Sequence, residues 1–336
     1  MSGTSSEAEV AVIPVADTAA DAPLATGRIS LGMRVVNLIA VLVPFAALVF
    51  AIGSLWGRGI TWLDLGLLVG MYVATVLGIT VGFHRLFTHR AFETTRPVKF
   101  VLGVLGSMAV QGRLFKWVGL HRRHHQHSDD VDDPHSPHHQ GRGAWSVLRG
   151  MWHSHVGWLF DPDPPHLDRY VPDLAQEKLL RVVDKLFLGW VALGLLLPAA
   201  IGAVIAQTWN GAMWAFLWGG PVRVLLVHHV TWSINSVCHL WGRRPYASGD
   251  ESRNNYLFGV MALGEGWHNT HHAFPTSPRH GLHWWQPDVS YWIILTLTAF
   301  GLARNLKLPT SEALQRKRVQ PQVPSMDRGT TKNPDP

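Results

Sequence analysis

Cysteine occurs once in the 336 residues, at Cys238. An intrachain disulfide framework, a CxxC redox pair and a cysteine-held iron–sulfur centre are therefore all excluded. Charge is also scarce: Asp, Glu, Lys and Arg make up 15% of the chain, against ~25% in an average soluble domain. No period of 20–50 residues repeats, which excludes solenoids and propellers. No GxGxxG turn announces a flavin or nicotinamide fold.

Apolar residues are plentiful, at 47%. They gather into four runs, at residues 35–56, 65–83, 186–206 and 212 to about 235. The first three carry no charge, and each is long enough to approach or cross a ~30 Å hydrocarbon core. The fourth holds Arg223, His228 and His229, and ionisable groups at that depth belong in a bundle interior. Shorter stretches at 98–110 and 289–303 read as interfacial or packed helices. The net charge of +6 would suit nucleic acid, an anionic membrane or an acidic partner; the hydropathy favours the membrane and excludes nucleic acid. Arginine is concentrated in segments 84–185 and 240–288, so the positive-inside rule places both termini and both long segments in the cytoplasm. Residues 1–27 and 309–336 are polar, without apolar periodicity, and read as disordered tails around one domain at 28–308. The cluster Arg316, Lys317 and Arg318 in the second tail reads as solvated or lipid-facing.

Histidine is abundant, at 20 residues. Three clusters fall just outside the apolar runs, on one predicted face: His84 with His89, then His121, His124 and His125, then His268, His271 and His272. The i, i+3, i+4 spacing of the last two puts three imidazoles on one helical face. His84 and His89 diverge by more than 100° on an ideal helix, so they straddle a helix end or bind different ions. On the fourth run His228, Trp232, Asn235 and His239 form one stripe. His239 lies at the cytoplasmic end and is a ninth candidate ligand, with Asn235 a weaker, water-mediated one. His228 stands about 16 Å away at 1.5 Å per residue and reads as a polar core residue. Eight or nine converging histidines exceed what one zinc ion needs, and imply two ions. Glu265 either orients a ligand imidazole or caps a helix. His127, His135, His138, His139, His153, His155, His166, His280 and His283 lack the spacing and read as structural. The acidic residues Asp129, Asp130, Asp132 and Asp133 read as a solvated or cation-pairing loop.

Six segments, GFHRLFTHR (82–90), WVGLHRRHH (117–125), DPHSP (133–137), SHVGW (154–158), TWSINSVCHLWG (231–242) and GEGWHNTHHAFP (264–275), make the chain similar to membrane fatty-acid desaturases of the acyl-CoA (stearoyl-CoA, delta-9) type. The wording of the boxes resembles bacterial members, and the resemblance covers roughly residues 35–305. It implies an all-α integral-membrane fold of four transmembrane helices under a cytoplasmic helical cap, in a bacterial plasma membrane. It implies two iron ions on His84, His89, His121, His124, His125, His239, His268, His271 and His272, with Asn235 bridged by water. Trp117 and Trp232 match tryptophans beside a bent acyl tunnel. The implied reaction removes two hydrogens to leave a cis double bond, with O2 as co-substrate.

In two respects the chain departs from that pattern. No HPGG-like haem segment is present, so electrons must come from a separate ferredoxin, cytochrome b5-like protein or reductase. The residues that grip CoA in animal members have no clear match. Arg113, Lys116, Arg122, Arg123, Arg142 and Arg149 are the candidates for binding phosphate, and acyl-CoA, acyl carrier protein or acyl-lipid could carry the chain. A diiron hydroxylase and a non-redox membrane metal-binding or transport protein are the competing readings.

Overall fold

The computed structural model describes residues 28–141 and 143–319. The expected N-terminal tail, Arg142 and residues 320–336 lie outside the described residues. Helix dominates. α1 (Leu31–Arg58) begins on Ser30, whose hydroxyl accepts from the Met33 amide. α2 (Trp62–Leu77) begins with a capping box between Thr61 and Asp64, which satisfies two orphan amide donors reciprocally. Arg58 closes the turn between them with an ion pair to Asp64 at 3.0 Å. α2 continues into a π-helical segment, Gly78–Thr88.

α3 (Arg96–Met108) packs against that segment. The approach is close: a Cβ on Gly78 would fall 2.2 Å from the Gly106 amide nitrogen. α4 (Leu114–His127) and α5 (Ala144–His155) follow, then the short α6 (Pro172–Gln176) and α7 (Lys178–Lys185). α8 (Phe187–Ala206) returns through the bundle and packs on α9 (Trp209–Leu217). A π turn, Trp218–Val222, joins α9 to α10 (Arg223–Leu240). Beyond it lie α11 (Tyr256–Met261), α12 (His268–Ala273), α13 (Val289–Ala299) and α14 (Ser311–Lys317). The one small sheet among the described residues pairs β1 (Glu93–Thr94) antiparallel with β2 (Ala303–Arg304).

Among the described residues, three helices are long and apolar enough to cross a membrane: Leu31–Arg58, Trp62–Thr88 and Phe187–Ala206. The fourth apolar run is not a single straight helix, because Gly220 leaves helical geometry and Pro221 follows it. Such a pair kinks the axis. Arg223, next to the kink, is fully buried. Along α1, Val36, Leu42, Phe45 and Phe50 are exposed, as a lipid-facing helix requires. Trp56, Trp62 and Trp209 stand almost bare at the ends of their helices away from the histidines, where tryptophan anchors a helix at a membrane interface. Of the two shorter stretches, α3 is a packed helix between α2 and α8, and α13 rests on the π segment.

The C-terminal tail needs correcting. Residues 309–319 are folded: Thr310 caps α14, Ala313 and Leu314 pack on Tyr246 and Phe274, and the Val319 amide donates to the Pro245 carbonyl at 2.9 Å. Lys317 is not free in solvent, since its Nζ donates to the Ala273 carbonyl at 2.7 Å. An apolar pair one turn deep was enough to dock this segment, and its polar composition concealed that.

Candidate metal centre

The first histidine pair owes its geometry to the π segment. Its i→i+5 bonds widen each turn, and the His89 amide donates to the His84 carbonyl at 3.1 Å. Residues five apart, divergent on an α-helix, here turn to one side, with ring centroids 4.8 Å apart. His89 is the C-cap of the segment, so the pair does straddle a helix end. It does not divide between two sites.

All nine candidate histidines converge, in two adjacent groups. His84, His89, His121, His125 and His271 each present one ring nitrogen within 4.8 Å of the others, and His124, His239, His268 and His272 do the same. α4 serves both groups, because consecutive residues 124 and 125 point to different ones. α12 does likewise, sending His271 to the first and His268 and His272 to the second. The groups touch: the rings of His125 and His272 stack at 4.4 Å.

Carboxylates set the orientation of four rings. Nδ1 lies 2.5 Å from Glu265 in His84, 2.9 Å from Asp133 in His124, 2.9 Å from Asp129 in His239 and 2.5 Å from Asp250 in His272. A carboxylate accepts, so each Nδ1 carries the proton and each Nε2 offers a lone pair inward. The Nε2 atoms of His239 and His272 each lie 3.0 Å from Nε2 of His268. One proton on His268 can satisfy only one of them. Nε2 of His89 and of His124 is buried with no hydrogen-bond partner. Lone pairs facing lone pairs in a buried pocket are the donor set that a cation completes, and imidazole suits iron, zinc, copper or nickel.

The electrostatics agree. Burial, then neighbouring histidines, push His121, His125, His268 and His271 well below the ordinary imidazole value. Burial brings His272 down to about 4 despite Asp250. The shift favours the neutral form of these rings, which metal ligation demands. At His124 burial also works against charge, yet Asp133 outweighs it and raises the value. Burial would raise Asp133 and Asp250, but the imidazoles they hold keep both well below the usual carboxylate range.

Glu265 orients His84 and does not cap: the N-cap of α12 is Trp267, without a side-chain bond. Buried Arg85 holds Glu265 at 3.0 Å and Asp288 at 2.9 Å. The acidic loop is corrected at two positions, since Asp129 and Asp133 face inward to His239 and His124 and are not solvated. Two histidines read as structural lie against the groups: His280 beside His84 and Glu265, and His135 beside His124 and Asp133. Neither Asp250 nor Arg85 was found by spacing, because each acts through a fold contact. Asp133 alone had a signal, in DPHSP.

Beside the groups lies a cavity of about 410 Å³, within the range of small-ligand sites. Arg113, Lys116 and Asp163 line it, as do Trp117, Trp232, Asn235, His84, His121 and His268. Trp117 stacks on His121 at 5.1 Å. Asn235 shares this wall, and His228 instead bonds the Ala109 and Val110 carbonyls at 3.2 and 3.0 Å. Of the arginines expected to hold phosphate, Arg122 is engaged by Asp173 and the Phe87, Thr88 and Tyr170 carbonyls. Arg123 is buried against Asp132. Arg149 lies over Trp145. Arg113 and Lys116 remain at the cavity, Lys116 paired to Asp163 at 2.7 Å.

A buried imidazole cluster at the side of a mostly apolar cavity suits oxidation of a greasy chain, and similarity to known proteins points the same way. The family model for fatty acid desaturases matches residues 60–291. A hex-5-enoyl-(acyl-carrier protein) acetylenase of Moorena producens is 40% identical over 279 residues, covering 82% of this chain and 87% of its own. An sn-1 stearoyl-lipid 9-desaturase of Anabaena variabilis is 40% identical over 253 residues, covering 74% and 85%. An icosanoyl-CoA 5-desaturase of Limnanthes douglasii is 38% identical over 293 residues, covering 86% and 74%. The three names carry three different head groups, so similarity does not choose among them. It does fix the larger question: this helical chain, with its paired histidine groups, belongs to the fatty acid desaturase family and is an oxidoreductase.

Proposed function

We propose that the protein is an O2-dependent desaturase that introduces a cis double bond into a long-chain fatty acyl substrate, acyl-CoA at the delta-9 position being the first to test. The observation that carries this reading is one cavity, lined by tryptophans and aliphatic side chains, that reaches His84, His121 and His268. Two irons would be held by the two histidine groups, and would supply the O2 activation that removal of unactivated hydrogens requires. The chain's own residues bind and position. All methylenes of a chain are chemically alike, so only geometry selects the pair that reacts. Trp117, beside His121, and Trp232 shape the wall where that selection occurs, and Arg113 and Lys116 stand ready for an anionic head group. Asn235 approaches the second group through water.

Reducing O2 to two waters takes four electrons. Two come from the substrate, and two from a separate donor such as a ferredoxin, a cytochrome b5-like protein or a reductase. The kinked α9–α10 pair is the fourth span, with the histidine groups, helical cap and both termini on the cytoplasmic side of a bacterial plasma membrane. In that arrangement the interfacial tryptophans at residues 56, 62 and 209 face outward.

The test is expression in a desaturase-deficient host with double-bond mapping of total fatty acids. A new cis-9 monoene is expected. An alcohol as the main product would overturn desaturation in favour of hydroxylation, and zinc at one equivalent with no O2 consumption would favour a metal-binding protein. The carboxylates make a separate prediction. Asp133→Asn keeps the shape but loses the charge that orients His124, and iron affinity is expected to fall about 10–100-fold, read by chelator titration.

A further inference from the structure

The C-terminal end of α3 is held by two side chains of α10 that the desaturase reading leaves without a role. The last carbonyls of a helix have no partner within it. Here the Met108 carbonyl accepts from Arg223 Nη1 at 2.8 Å. The Ala109 and Val110 carbonyls accept from His228 Nε2; a carbonyl only accepts, so His228 carries its proton on Nε2. Arg223 also donates to the Gly194 and Gly219 carbonyls, and is fully buried with no carboxylate paired to it among the described residues.

What these bonds hold is a strained turn. Val110 sits at φ +62°, a region that a β-branched residue enters only when its surroundings force it. Gly112 follows at φ +103°. Between them, Gln111 bridges Thr231 Oγ1 at 2.9 Å and Trp117 Nε1 at 3.3 Å. Val110, Gln111, Gly112, Trp117 and Thr231 all line the cavity, and so does His228 itself. The wall against which an acyl chain lies is therefore placed by the turn, and the turn by α10. The same helix carries His239 eleven residues further on, about 16 Å away. One rigid element thus spaces the wall from the second histidine group.

We propose that His228 is a specificity-determining positioning residue: by anchoring the 109–110 carbonyls it fixes the strained turn, and so fixes which acyl carbons are presented for desaturation. Arg223 anchors the preceding carbonyl and holds the turn to the bundle. This inference rests on the desaturase reading. Its readout is bond position, which a merely structural role would leave alone while lowering yield.

The experiment expresses the full chain and its variants in the desaturase-deficient host and maps double bonds. If the wild type makes no olefin, the desaturase reading fails first. Given wild-type product, His228→Leu keeps bulk and removes the donor, and is expected to raise the share of neighbouring positional isomers at least 5-fold. His228→Gln retains a donor and should stay close to wild type. Val110→Gly removes the strain that the anchor opposes, so adding it to His228→Leu should bring the isomer ratio back towards wild type. An unchanged isomer ratio in His228→Leu overturns the proposal, whatever the yield. So does loss of all product in His228→Leu both alone and with Val110→Gly added.

Discussion

His124→Ala is expected to reduce olefin formation to background while the protein remains in the membrane at wild-type level. The alanine removes one of four donors from the second group and leaves Asp133, fully buried, facing a void where Nδ1 had been. If the two groups hold two irons as proposed, iron retained after purification should fall by about one ion, since the five histidines of the first group are untouched. His283→Ala is the matched control. That ring is exposed and stacks on Trp285, outside both groups, and full activity is expected. Product surviving the His124 change, measured by the same fatty-acid mapping, would remove this residue from the centre.

Arg85→Met is expected to have the second-largest effect, through stability. The guanidinium is wholly buried, and neutralises Glu265 and Asp288 while donating to the Pro278 carbonyl at 2.7 Å. Methionine fills part of the volume and leaves two buried carboxylates without a counter-charge. Breaking one side of such a pair costs about 3–5 kcal/mol. The expected result is a large drop in the unfolding midpoint of detergent-purified protein, together with weaker iron retention as Glu265 loosens from His84. Arg85→Met combined with Asp288→Asn should recover part of the midpoint. If the single variant melts like wild type, the network contributes no stability.

What the sequence disclosed follows from how each interaction is built. Helical spacing is local, so the HxxHH segments announced which imidazoles share a face, and α4 and α12 bear that geometry. The stripe on α10 likewise separated His239, which joins a group, from His228, which does not. For His84 and His89 the spacing left two readings open, a helix end or two different ions, and the π turn, wider than the 3.6 residues the rule assumes, decides for the first. The carboxylates were harder still. Asp250 reaches His272 across 22 positions, and Asp129 reaches His239 across 110. A loop of aspartates looks solvated until the fold supplies its partners. Arg122 and Arg123 failed for the same reason in reverse, because internal acceptors had already claimed them. The kink at Gly220 and Pro221 was visible as residues, and its effect on the fourth run went unread.

The assignment of His271 to one group and of His268 and His272 to the other has a consequence for biosynthesis. Translation proceeds from the N-terminus, so during elongation the chain holds at most four nitrogens of the first set and two of the second until α12 leaves the ribosome. Both pockets are then completed within one helical turn's worth of synthesis. On the proposed two-iron reading, tight metal loading must therefore await synthesis and insertion of α12, and both ions become bindable together. A nascent chain arrested before residue 268 should bind neither tightly, whereas a chain extended through α12 and clear of the ribosome should allow both to enter.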